Sequence, residues 1–241
     1  ANICYRYWPA ILALIQIDET LARQTNFSYL LIALLFMLVA IPLADDLDLA
    51  RLPVVRAVIF SGLMIVGAWS LRGGGRSFAI GMTFVVTGVV LNVLAANTDS
   101  SALLHASSLA LIGFLLVAIA YTLKQVVIGT DINANRLVGA VCVYLLLGVI
   151  WAMCYSLVDA MSPGSFSGFS PSGDRGWDSE WLYFSFVTMT TLGYGDVLPI
   201  SATARGLAYL QAVVGQFYIA MLVAGLVGAY IANRQQSGDR K

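Results

Sequence analysis

The stretch Thr188-Met189-Thr190-Thr191-Leu192-Gly193-Tyr194-Gly195-Asp196 decides how this chain is read. Two glycines flank one aromatic. Glycine opens backbone torsions closed to other residues, so successive carbonyls can point the same way. Just before it, Ser179 to Thr190 reads as a short amphipathic helix, too brief to cross an apolar bilayer core about 30 Å thick. Apolar spans lie on both sides, at about 137–158 and 202–232. Backbone that is not helical is tolerated at membrane depth only where protein buries it or where it lines a water-filled path. The stretch is therefore expected to enter the membrane and turn back.

Composition places the rest of the chain in the membrane as well. Apolar residues make up 59% of it and charged residues 11%, against about a quarter charged in a soluble domain. Working outward from the central stretch, spans are expected at about 27–43, 54–71, 78–96, 102–123, 137–158 and 202–232. The expected fold class is all-α integral membrane, with six transmembrane helices and one re-entrant helix. Residues 1–24, with Tyr5, Tyr7 and Trp8, read as an amphipathic interfacial segment. Residues 25–123 form a front unit of four helices, 124–136 a polar linker, 137–232 the unit around the central stretch, and 233–241 a polar tail. Six crossings put both termini on one side. Nine basic residues fall on that side and four on the other, which makes the termini cytoplasmic. The expected location is a cell membrane, crossed several times and bordered by lipid. The small polar loops lean towards a prokaryotic inner membrane.

Zero net charge argues against a nucleic-acid partner. Cys4, Cys142, Cys154 and the single His105 make no metal-ligand pattern, and no constellation suits enzymatic chemistry. No organic cofactor and no small-molecule substrate other than cations is expected. Four loops like Thr191–Gly195 around one axis would stack rings of oxygen able to replace the water shell of a potassium ion. The residues Thr191-Leu192-Gly193-Tyr194-Gly195, followed by Asp196, resemble the selectivity filter of potassium channels, Thr-x-Gly-Tyr-Gly-Asp. Leu192 stands where Val or Ile is commoner.

The resemblance extends from about Leu137 to Ala232 and implies a tetrameric pore built from outer helix, turret, pore helix, filter and inner helix. It implies that Thr191, Leu192, Gly193 and Tyr194 bind potassium, with Gly195 closing the filter. Thr190 would face a water-filled cavity. The Tyr194 ring would pack on Trp181, Tyr183 and Phe184, two of which replace tryptophans common in voltage-gated relatives. Val187 stands where some bacterial relatives carry a Glu bonded to the filter Asp, so that bond to Asp196 is absent. Gly215 occupies the place of a gating hinge, with tight helix packing as the other reading. Gly225 and Gly228 leave a slender helix at the inner mouth.

The six-span layout is similar to the voltage-gated superfamily, whose fourth span carries repeated arginines. Here residues 102–123 hold none, and Lys124 sits at the inner end. Moving one charge through 100 mV is worth about 2.3 kcal/mol, and steep gating takes three to four charges per subunit. The expectation is a potassium-selective homotetramer with little voltage dependence. The alternatives are a weakly selective cation channel and a non-conducting regulatory or structural subunit that keeps the fold.

Overall fold

The computed structural model describes residues 27–47, 75–98, 101–128, 134–169 and 179–238. The interfacial segment expected at 1–24, the span expected at 54–71, residues 170–178 and the last three residues lie outside this set.

Six helices occupy the described residues: α1 (Phe27–Asp46), α2 (Gly75–Thr98), α3 (Ser101–Ile128), α4 (Ala134–Met161), α5 (Ser179–Met189) and α6 (Ala202–Gly238). Four carry apolar stretches long enough to cross a membrane, Phe27–Asp45, His105–Val126, Asn135–Met161 and Ala202–Gly225. The span expected at 78–96 is helical, but its apolar stretch, Ser77–Leu91, is shorter than the other four. The linker expected at 124–136 is largely absorbed into helices, since α3 runs on to Ile128 and α4 starts at Ala134. Among the described residues the fold departs from all-α at one point. Strands β1 (Phe166–Ser167) and β2 (Leu198–Pro199) pair antiparallel, Phe166 with Pro199 and Ser167 with Leu198. This ladder satisfies backbone groups in two segments with no helical partners of their own.

α4 is the hub, packing against α1, α3, α5 and α6 of its own chain. α1 turns Phe27, Leu30, Leu34, Met37, Ile41 and Ala44 inward, a spacing of three and four residues that makes one helical stripe. Its other face, including Tyr29, Ile32, Phe36 and Val39, is apolar and exposed. A helix apolar all round belongs in a lipid environment or a large core. α2 lies along α3, where a Cβ on Gly113 would sit 2.6 Å from the Phe84 ring.

One end of each of three helices meets at an elbow. The Phe27 N–H, at the start of α1, donates to Asn135 Oδ1 at 2.9 Å, which fills a donor that a helix N-terminus leaves open. Arg136 donates through Nε to the Val126 carbonyl at 3.0 Å and through Nη2 to the same oxygen. A cation at the last carbonyls of α3 suits the negative end of the helix dipole.

Candidate pore helix and filter

α5 has 11 residues, which at 1.5 Å per residue is about 16 Å, half a bilayer core. Its first turn is tied to the far end of the chain: the Ser179 N–H donates to Asp45 Oδ2 at 3.1 Å. Glu180 lies in the same turn. Carboxylates there suit the positive end of the dipole. Trp181, Leu182, Phe184, Ser185 and Met189 are buried. Phe166 stands edge-on to Trp181 at 5.2 Å and to Phe184 at 5.5 Å, and Phe169 lies 4.3 Å from Trp181. The Tyr155 ring of α4 completes the cluster, 4.9 Å from Phe184.

The helix ends in a Schellman turn. Leu192 N–H reaches back five residues to the Val187 carbonyl at 3.0 Å, and Thr191 N–H reaches the Thr188 carbonyl at 3.1 Å. The left-handed position of this turn, usually Gly or Asn, is held by Thr191 at φ 60°. For a β-branched residue that is a true outlier, and such strain is concentrated at functional sites. Gly193 follows at φ 54° and Gly195 at φ 84°, with Leu192 and Tyr194 outside the positive-φ set. Left-handed torsions at every second residue are what a strand needs to turn its carbonyls to one side instead of alternating them. The side chains of residues 190–196 are all exposed in the single chain.

The exit from this loop is fastened on two sides. The Tyr183 hydroxyl donates to Asp196 Oδ2 at 2.5 Å, and Val197 N–H donates to Asp196 Oδ1 at 3.0 Å. The bond from Tyr183 holds the Asp196 carboxyl below its ordinary value of 3.8. The same bond pushes the Tyr183 hydroxyl up to about 12. On the other side, the Ser165 carbonyl accepts from Ile200 N–H at 2.7 Å and from Ser201 N–H at 3.2 Å. Gly168, at φ 92°, lets its backbone close on the exit from this loop, since a Cβ there would lie 1.8 Å from the Asp196 carbonyl oxygen.

Three residues of α6 knit it to its neighbours. Gln211 is fully buried; its Nε2 donates to the Ser185 carbonyl at 2.9 Å and to Ser185 Oγ at 2.7 Å, and its Oε1 accepts from Tyr155 at 2.5 Å. Ser185 Oγ in turn donates to the Gly148 carbonyl at 2.6 Å. One turn later Gly215 presses on the end of α5, where an added Cβ would meet Met189 Cγ at 2.6 Å and the Met189 carbonyl at 3.0 Å. Tyr218 then donates to the Ala140 carbonyl at 2.6 Å. Gly225 and Gly228 have nothing within 4 Å of a would-be Cβ.

Several expectations can be placed on this geometry. Thr190 to Asp196 form one exposed loop at the end of α5, and the Thr190 hydroxyl donates back to the Phe186 carbonyl at 2.7 Å. The expected packing of Tyr194 on Trp181 and Phe184 is not made within one chain. Those rings face the α4 core, at 2% and 5% exposure, while Tyr194 is 68% exposed. Of the three aromatics, Tyr183 is the one outside that core, and its hydroxyl goes to Asp196. Val187 contributes its carbonyl to the turn. At Gly215 the structure shows the packing contact, in a helix continuous from Ala202 to Gly238. Asp45, Gly168, Ser185 and Gln211 were not singled out from the sequence. The one usable signal was Gln211, a primary amide inside an apolar span.

Comparison with known proteins finds similarity to channels. Residues 139–232 match the family described as "Ion channel". The chain is 35% identical over 102 residues to "Two pore potassium channel a" of Oryza sativa subsp. japonica, covering 42% of this chain and 26% of that one. It is 32% identical over 110 residues to "Two-pore potassium channel 1" of Arabidopsis thaliana, covering 45% and 27%. "Two-pore potassium channel 3" of the same plant is 39% identical over 58 residues, covering 24% and 13%. The chain thus spans about a quarter or less of the length of these curated relatives. The four apolar helices and the family match make it a multi-pass membrane protein, and its segment from Gly139 to Ala232 is similar to ion channels.

Proposed function

We propose that this chain is a potassium-selective channel that conducts passively as a homotetramer of six-span subunits, with both termini cytoplasmic. The observation that carries the proposal is the loop Thr191–Asp196: a capped half-length helix delivers it, and left-handed torsions recur at every second residue. Thr191, Leu192, Gly193 and Tyr194 offer the carbonyls that bind the ion, and Asp196 holds the outer end through Tyr183. The surface left open in one chain supports assembly. The α6 span is 11% buried, against 56% for the α4 span, and Phe217, Met221 and Val223 on it are exposed. A four-fold ring needs four such loops, and Thr191–Gly195 supplies one of them.

The front helices act as a lipid-facing scaffold around α4. α3 carries Lys124 as its one Lys or Arg, which leaves conduction with little dependence on voltage. The test is flux through the purified protein in liposomes, potassium against sodium, at zero and at imposed voltage. Barium-sensitive flux that prefers potassium and barely responds to voltage supports the reading. Equal potassium and sodium flux refutes selectivity, and no flux at any voltage points to a non-conducting subunit.

A further inference from the structure

We infer that Gln211 is a positioning residue for the filter, and that it ties the inner helix to the pore helix through Ser185; this rests on the channel reading above. A glutamine inside a membrane span is costly unless every polar atom finds a partner. Gln211 finds them on two other helices. Both Nε2 hydrogens go to Ser185, one to its carbonyl and one to its hydroxyl, and Oε1 takes the Tyr155 hydroxyl. The Ser185 hydroxyl passes its own hydrogen to Gly148 on α4. The donors and acceptors fit one amide orientation only. Turned over, the amide would set Oε1 against the Ser185 carbonyl, two acceptors with no hydrogen between them.

The placement says what the network is for. Ser185 lies one turn before Met189, and Met189 is the residue on which Gly215 presses. Gln211 and Gly215 are themselves one turn apart on α6. Two successive turns of the inner helix thus grip two successive turns of the pore helix, just ahead of the strained Thr191. An apolar residue at 211 could fill the space, but it would leave the pore helix free to slide or rotate by a fraction of a turn. The amide fixes depth and rotation, and any displacement of α6 at this level is passed to the filter.

The test uses the full chain in liposomes. The wild type is measured first, because its failure to prefer potassium would refute the channel reading itself. Gln211→Met, Ser185→Ala, Tyr155→Phe and the double variant Gln211→Met/Ser185→Ala follow, each checked for assembly by size and cross-linking. A purely structural role would lower yield or thermal midpoint and leave the potassium-to-sodium permeability ratio of assembled channels unchanged. The expected result is a drop in that ratio of about tenfold for Gln211→Met and for Ser185→Ala. The double variant should fall no further than either single one, as coupled neighbours do. Assembled Gln211→Met and Ser185→Ala channels with wild-type ratios would overturn the inference. Should Gln211→Met fail to assemble, Ser185→Ala and Tyr155→Phe decide in the same way. If these also assemble poorly while their assembled fraction keeps the wild-type ratio, the network is structural and the inference fails.

Discussion

Replacing Gly168 with alanine tests how the filter is held from outside its own motif. Gly168 lies 28 residues before Asp196, in the turret. Two costs arise there. The first is torsional: a side chain at φ 92° sits in a region that costs about 1–3 kcal/mol for a non-glycine residue. The second is steric. The new Cβ would lie 1.8 Å from the Asp196 carbonyl oxygen, where approaches under 3.0 Å essentially never occur, so the two backbones must part by at least about 1.2 Å. Overpacking of this kind typically adds about 1–3 kcal/mol. A shift of that size would stretch the 2.5 Å bond from Tyr183 to Asp196 beyond hydrogen-bond range. Gly164 is the control, since at φ 85° it bears the torsional cost with nothing within 4 Å of its Cβ. Chemical unfolding in detergent, followed by tryptophan fluorescence, should place Gly168→Ala about 1–3 kcal/mol below Gly164→Ala. Potassium preference in liposomes should fall for Gly168→Ala alone. Equal stability of the two variants with intact selectivity in both would refute the reasoning.

Other perturbations have definite outcomes. Gly215→Ala should destabilise by about 1 kcal/mol, because overpacking against Met189 outweighs the gain of about 1 kcal/mol in helix propensity; a variant more stable than wild type in thermal unfolding would contradict the packing contact. Tyr183→Phe should weaken potassium preference and shorten conducting periods in bilayer recordings. Asp196 sits below 3.8 and Tyr183 near 12. Their bond is therefore complete between those limits; it is lost on the acid side as pH falls through the lowered Asp196 value, and on the alkaline side as pH rises through about 12. The difference between wild type and Tyr183→Phe should accordingly stay constant from about pH 5 to 9, and a loss of that difference near neutrality would show that the bond is not what separates them. Asp45→Ala removes the carboxylate at the α5 N-terminus and should cost about 0.5–2 kcal/mol in unfolding measurements, against no change if the contact carries nothing.

Much of the candidate site was legible because its signals are local. Thr191 to Asp196 are contiguous, α5 is recognisable by its length, and the spans 27–43, 102–123 and 137–158 stand out by apolar run alone. Their ends moved because helices extend into polar residues: α3 runs through Lys124 and Gln125 to Ile128, carried by backbone bonding that hydropathy does not report. What stayed hidden are contacts between residues far apart in sequence. The run Asp45-Asp46-Leu47-Asp48 reads as a solvated acidic loop, yet Asp45 lies in α1 and accepts from a helix N-terminus 134 residues away. Tyr183 reads as an aromatic brace, and its hydroxyl proves to be the part in use. Thr191 gives no sign of its left-handed torsion, since β-branched residues avoid it. Nothing in the spacing of Tyr155, Ser185 and Gln211 links them before the three helices are packed.

The central claim is that this chain forms a potassium-selective pore through residues 191–195. The most direct measurement is the reversal potential of the purified protein in planar bilayers, with potassium on one side and sodium on the other. The account predicts current that is abolished by barium and reverses where potassium selectivity requires, with little change in open probability across voltage. A reversal potential near zero under these conditions, in channels of demonstrated four-fold assembly, would contradict it.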